Sequence, residues 1–352
     1  MTRELHLYEA IREAIDLCMH DDPSVYIFGL GVPDPKGIFG TTLGLQQKYG
    51  IDRVMDIPCA ENAMTGVAIG STLVGLKPII THQRVDFALL SMDQIVNQAA
   101  KWHYMFSGQR CVPLVIRMII GRGWGQGPQH AQSLESMFAH IPGLKVVAPV
   151  TPYDAKGLLI ASIKDNNPVI FFEHRWLHNI IGDVPEESYT VPIGKGKIVR
   201  EGSDVTIVTF SYMVLEALKA AEFLKEFGIH CEIIDLRTLR PLDTEIFLKS
   251  VQKTGRLVVV DNDWKTGGIG AEIVSLVVEN NMQCLKESPR RIGFPECPSP
   301  TSPALANVYY PRAKDIVKVI MHVMKREINE SEIPQMHSGP LDIPDISFTG
   351  PF

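Results

Sequence analysis

Glu61 stands as the one acid in IPCAENAMTGVAIG, residues 57–70, among small and apolar neighbours. The spacing of Ala63, Met64, Val67, Ala68 and Ile69 predicts a closely packed helix opening at this glutamate, with Gly66 and Gly70 permitting tight approach. An apolar surround favours the neutral carboxyl, while a helix N-terminus favours the ionised one, so such a group can exchange a proton near neutral pH. The plainer reading is an N-terminal acid satisfying free backbone N–H groups. His130 closes the glycine-rich run GRGWGQGPQH, 121–130, and precedes AQSLES, a helix start. A neutral imidazole there could bond a substrate oxygen or carry a proton, although a loop histidine is usually just solvated. Phe87 follows the strand that ends in Thr81-His82, and its ring could fill core or stack on a flat cofactor. The turn KTGGIGAE, 265–272, offers helix N-terminal amides to an anion, but it lacks G-x-G-x-x-G spacing, and tight packing of turn on strand is the simpler account. Asp165-Asn166-Asn167-Pro168 reads as a turn whose oxygens could also hold a structural cation.

These residues must be positioned by alternating strands and helices. A helix is expected at 5–20 and a buried strand at 25–32. A short strand, 53–58, leads into Glu61. Further strands are expected at 77–83, 111–118, 143–149 and 168–174, with helices between them. Near-continuous apolar strands alternating with helices imply a parallel sheet covered on both faces, with ligands at the carboxyl ends of strands. Residues 176–202 show no clear element and read as a linker. The pattern then restarts with strands at 204–210, 230–237 and 256–262, helices at 213–228 and 265–280, a turn at 239–243 and a last helix near 312–326. The fold class is therefore α/β, with a parallel-sheet domain over 1–185, a smaller α/β domain over 186–328 and an extended tail over 329–352.

At 352 residues the chain is comfortable for two domains. The net charge of −6 gives no reason to expect nucleic acid as a partner. No apolar run is long enough to span a membrane, and no signal or transit segment opens the chain. Six scattered cysteines without a C-x-x-C pair suit reduced thiols in a cytoplasm-like compartment.

Taken in order, DIPCAENAMTGVAIG, GLKPI, DQIVNQAAK, PLVIR, PQHAQSLE, HIPGLKVVAPVTPYDAKGLL, DNNPVIFFE, VPIGKGKIVREGSDVTIVT, IDLRTLRPLD and TGGIGAE resemble the beta subunit of thiamine-diphosphate-dependent 2-oxo acid dehydrogenases, in their decarboxylating component. This is the pyruvate, branched-chain and acetoin dehydrogenase type, and the resemblance spans about residues 5–326. It implies a pyrimidine-binding domain followed by a transketolase C-terminal-type domain. It implies that Glu61 bonds the aminopyrimidine of thiamine diphosphate and drives loss of the thiazolium proton. It places Phe87 beside the pyrimidine, and His130 facing the thiazolium to assist acyl transfer to lipoamide. Ile163, Asp165 and Asn167 match a segment that holds a structural monovalent cation, K+, mainly through backbone oxygens. The family holds Mg2+ and the diphosphate with a GDG…NN segment. This chain has only GDV at 182–184 and Asn pairs at 166–167 and 280–281. The resemblance thus implies an alpha partner carrying that segment, an α2β2 heterotetramer, and a lipoyl acyltransferase core as a further partner.

The chain departs from the pattern in places. Leu30 and Thr81 stand where many relatives carry acids that are thought to link the two active sites of the tetramer. Arg84 brings a cation near Phe87. It is either a surface residue or a ligand for the carboxylate or phosphate of a substrate. Besides oxidative decarboxylation, two other readings stay open: a split transketolase-like carboligase using the same cofactor, and a non-catalytic scaffold subunit.

Overall fold

The computed structural model describes residues 2–122 and 126–344. Gly123, Trp124 and Gly125 of the glycine-rich run, and the last eight residues of the tail, lie outside the described residues. Six strands of the first half of the chain and one of the second form a seven-stranded sheet in the order 238–240, 145–147, 169–174, 115–120, 77–82, 25–29 and 54–55. All its strands are parallel except Thr238–Arg240, which pairs antiparallel with Lys145–Val147. The second half forms a five-stranded sheet in the order 290–294, 257–264, 205–209, 231–235 and 197–200, in which only Lys197–Arg200 is antiparallel.

The apolar strand runs predicted this burial. VYIFG at 25–29, VIRMII at 115–120 and VIFFEH at 169–174 are buried at every position, as strands covered on both faces must be. On one face lies helix Leu7–Asp21, which buries Leu7, Ala10, Ile11, Ala14, Ile15, Cys18 and Met19, the single stripe that a 3.6-residue period produces. Helix Pro152–Ile163 packs with it. That helix starts where Pro152 follows Thr151, whose hydroxyl accepts the Asp154 N–H at 3.0 Å. The other face is covered by helix Glu61–Thr72 and by Phe138 of helix Glu135–Ala139.

Three expectations change. Residues 176–202 are not a bare linker, because they hold strands Ile181–Pro185 and Lys197–Arg200. The first of these pairs antiparallel with Thr2–His6, ahead of the first helix. TRELH is polar and lies in a two-stranded ribbon with exposed positions, so no apolar run advertised it. The expected turn at 239–243 begins instead in the strand Thr238–Arg240, which adds an edge to the first sheet. The second half thereby completes the first, and an ion pair at 2.9 Å between Arg237 and the buried Asp154 ties the two.

Candidate active site

The carboxyl ends of the central parallel strands converge. Gly29 pairs in register with Thr81, His82 with Met118, and Ile120 with His174. Glu61 opens its helix one short loop beyond the 54–55 strand. Asp56 fixes that approach, since one of its carboxylate oxygens accepts both the Gly31 and the Ile57 N–H at 2.9 Å. Gly31 needs the freedom of glycine here. Its φ is +75°, and a Cβ would lie 2.7 Å from Nε2 of Gln83, which donates to the Leu30 carbonyl.

Glu61, Leu30, Ile57, Pro58, Thr81, His82, Gln83 and Phe87 line one narrow hollow of about 20 Å³. Within this chain the hollow is too small to enclose a heterocycle. Glu61 is half-buried, and its carboxylate has no hydrogen-bond or ion-pair partner among the described residues. Its helix is less enclosed than the sequence suggested. Only Thr65, Ala68, Ile69 and Thr72 are buried, and Gly70 faces open space. The small residues 63, 67 and 70 leave that face bare.

Phe87 and His130 come together although 43 positions separate them. Their rings meet edge to face with centroids 5.2 Å apart. A hydrogen bond of 2.7 Å from Gln132 Nε2 to Asp86 ties the segment of one to that of the other. Arg84 is not a surface residue. It is 3% exposed, donates to the Gly121 carbonyl at 2.8 Å and lies over the Phe39 ring. Burial, helped by the nearby Arg175, lowers its pKa to about 10, and its second terminal nitrogen has no hydrogen-bond partner. Below the hollow, Arg117 and Glu173 form a fully buried two-point pair at 2.6 and 2.9 Å, and Arg117 also reaches Thr41. Desolvation works against the Glu173 carboxylate, yet Arg117 and His178 outweigh it and hold its pKa below the usual range.

His82 is the residue the sequence reading passed over. It is 3% exposed, its Nε2 has no partner among the described residues, and burial pushes its pKa down to about 4, so it stands neutral beside Glu61. Its position as the last residue of a strand ending at a parallel sheet's carboxyl edge was the available signal. Leu30 and Thr81, the positions expected to carry acids, both face the hollow, so Glu61 is the only carboxylate lining it among the described residues.

The remaining nominations lie elsewhere. Ile163 is buried at the end of helix 152–163. Asp165 pairs with Lys145, and one of its oxygens accepts the Asn167 N–H at 2.8 Å. A cation there would rest on backbone carbonyls, not on a free carboxylate. In the turn at 265–272 the Gly270 N–H is already taken by Asp261 at 2.8 Å, while Gly267 faces open space. A larger cleft of about 680 Å³ opens between helices 135–139 and 269–281, and of the nominations only the 265–272 turn lines it, through Gly267, Gly268, Ile269, Ala271 and Glu272.

Set against a thiamine-type group, the hollow fits in kind. It offers an unpartnered carboxylate at a helix N-terminus, an aromatic ring, and a buried neutral imidazole with an orphaned nitrogen. None of the described residues lining it is cationic; nearby, Arg84 donates to a backbone carbonyl and Arg117 pairs with Glu173.

Residues 3–179 match the family model "Transketolase, pyrimidine binding domain", and residues 194–316 match "Transketolase, C-terminal domain". The chain is 46% identical to the acetoin:2,6-dichlorophenolindophenol oxidoreductase subunit beta of Cupriavidus necator, covering 92% of this chain and 99% of that one. It is 40% identical to the Bacillus subtilis protein of the same name, covering 92% and 98%. It is also 40% identical to the pyruvate dehydrogenase E1 component subunit beta of Rickettsia conorii, covering 91% and 98%. Among solved structures, a split gene transketolase described as an inactive beta4 tetramer shares the fold, with a TM-score of 0.75 at 21% identity over 92% of this chain and 99% of that one.

Proposed function

The chain belongs to the transketolase-like family, in the branch of the pyruvate and acetoin dehydrogenase beta subunits, and from that premise we propose that it is the beta half of a thiamine-diphosphate-dependent enzyme. It acts with an alpha subunit in an α2β2 heterotetramer, decarboxylates a 2-oxo acid and passes the acyl group to lipoamide. The observation that carries this reading is the juxtaposition of the unpartnered Glu61 with Phe87, and of Phe87 with His130.

When bound, thiamine diphosphate supplies a thiazolium carbon that adds to the substrate carbonyl and accepts the electron pair left as CO2 departs. The residues of this chain hold, shield and move protons around that event. Glu61 gives and takes a proton at a ring nitrogen through an oxygen with no competing protein partner. Phe87 presents an apolar face that keeps water from one side. His82, neutral and orphaned at Nε2, offers one hydrogen bond without adding a charge. His130, half-buried and held edge-on by Phe87, handles a proton at the substrate oxygen during acyl transfer.

Because this chain carries no GDG…NN segment, Mg2+ and the diphosphate are assigned to the alpha partner, through its GDG…NN segment. A lipoyl acyltransferase core is the partner for the product. K+ at the carbonyls near Ile163, Asp165 and Asn167 is a further element of the proposal. Within the family, acetoin is the second candidate substrate. It is favoured by the 46% relative and by Arg84, which spends a donor on Gly121 rather than facing a carboxylate.

The test is co-expression with an alpha subunit, titration with thiamine diphosphate and Mg2+, and separate scoring of CO2 release from pyruvate, acetaldehyde release from acetoin, and acylation of a lipoyl domain. Acylation of the lipoyl domain from either donor supports the proposal, and the donor that works picks the substrate. Carboligation without lipoyl transfer would replace it by the split-transketolase reading. An assembled pair that binds no cofactor would replace it by a scaffold.

A further inference from the structure

The C-terminal segment past residue 328 lies outside both family matches, which end at 316. Its described part does not leave the molecule. Ile333, Met336 and Ile343 pack against the main core, and His337 Nε2 donates to the Pro344 carbonyl at 2.6 Å, closing a turn. Arg312, 3% exposed, donates to the Ile343 carbonyl at 2.6 Å while its guanidinium lies over Trp176 and bonds Tyr212 and Glu216. This anchors the segment to the second half of the chain. One residue earlier, Asp342 crosses to the first half. Its carboxylate lies 2.9 Å from the Arg122 guanidinium, and the two side chains are 3% and 1% exposed.

Arg122 sits at the mouth of the stretch that ends in His130. The mouth is closed by the Gly121 N–H reaching the Gln132 carbonyl at 3.4 Å. Arg122 donates to the Thr301 carbonyl at 2.9 Å. Gly127 packs so closely on the same threonine that a Cβ would come within 2.3 Å of its hydroxyl. Ser299 donates to the Ala131 carbonyl at 3.3 Å. The described residues on either side of 123–125 are therefore seated on the 299–301 segment, and the charge of Arg122 is balanced by the tail. A buried guanidinium whose carboxylate is removed keeps its desolvation cost and loses its partner, so the base would open toward water.

We infer that the C-terminal segment is an internal strap and that Asp342 is a positioning residue. Through Arg122 it fixes the base of the stretch that presents His130 to Phe87. Its catalytic consequence rests on the function proposed above, whereas its structural part does not, and two readouts separate them.

The structural readout is trypsin cleavage at Arg122 in the full-length chain, followed by mass spectrometry of the new terminus. Asp342→Asn should raise the cleavage rate at least about tenfold, because the opened base becomes accessible. Asp342→Glu should restore protection, and Glu327→Gln, an exposed tail acid, should leave it unchanged. Cleavage of Asp342→Asn at the wild-type rate would overturn the strap. Should Asp342→Asn not fold, hydrogen exchange on the wild-type chain decides. Peptides covering 126–132 and 336–343 should open with matching protection factors, and a tail exchanging a hundredfold faster over a protected 126–132 limb would overturn it.

The catalytic readout uses the pair assembled with the alpha subunit. Asp342→Asn should lower kcat about tenfold and leave KM within twofold, with Asp342→Glu rescuing kcat. An unchanged kcat, or loss confined to KM, would overturn the positioning role. If the wild-type pair shows no turnover at all, the proposed function fails while cleavage at Arg122 still judges the strap.

Discussion

Replacing His82 with glutamine should make the protein less sensitive to acid. Burial lowers the pKa of His82 from 6.5 to about 4. Between those values the unfolded chain binds a proton that the folded chain refuses. Folding stability is therefore intact above pH 6.5, declines as the pH falls, and levels off below about 4. Integrating the linkage between pH 7 and pH 5 gives a loss of about 2 kcal/mol from this one residue. For a unit of the size of the first domain that corresponds to roughly 5 °C in Tm. Among the described residues lining the hollow with His82, the one other ionisable side chain is Glu61, which is present in both proteins. His174, pushed down to about 3 by burial and by nearby cationic groups, adds acid sensitivity to both as well and cancels in the comparison. The assay is thermal unfolding of wild type and His82→Gln at pH 7 and pH 5, reading the change in their Tm difference. That difference should move by about 5 °C in favour of the variant at pH 5. A difference that stays constant within a degree would refute the argument that His82 is buried and neutral. A move in the opposite direction would mean that His82 is charged in the fold and paired with Glu61.

Other perturbations test other parts of the site. Glu173→Gln should cost about 3–5 kcal/mol in denaturant unfolding, because Arg117 is left buried with its charge uncompensated, and a loss below 1 kcal/mol would contradict that account. Arg84→Ala should cost about 1–3 kcal/mol by leaving the Gly121 carbonyl short of a donor, whereas the change expected at an exposed arginine is below about 0.5 kcal/mol. Phe87→Ala should reduce turnover and weaken cofactor binding in the assembled pair, with about 1 kcal/mol of the effect traceable to the lost edge contact with His130 by a double-mutant cycle. A coupling of zero would mean that the two rings are neighbours without consequence.

The sequence disclosed most of the sheet and little of the site's electrostatics. VYIFG, VIRMII and VIFFEH could only be strands covered on both sides, and their order placed Glu61, Phe87 and His130 at carboxyl ends. Whether Phe87 would touch His130 was not legible, because that contact depends on Asp86 and Gln132 meeting across 46 positions. Arg84 illustrates the same limit. A polar segment, HQR, reads as surface by composition, yet here it runs into the interior because Gly121 offers a carbonyl and Phe39 a ring face. TRELH hid as a strand because its partner is another exposed edge rather than a core strand. The tail is proline-dotted and polar, and what seats its described part, the meeting of Asp342 with Arg122, is a pairing that no local pattern announces.

The account stands most directly on Glu61. The measurement is hydrogen–deuterium exchange at the thiazolium carbon of thiamine diphosphate bound to the assembled alpha–beta pair, comparing wild type with Glu61→Gln. The account predicts that the variant assembles and binds cofactor but exchanges that proton slower by orders of magnitude, on the order of 10²-fold or more, since the group that moves the ring proton is gone. Exchange at the wild-type rate in a properly assembled variant would contradict it and return Glu61 to the role of a helix N-terminal charge.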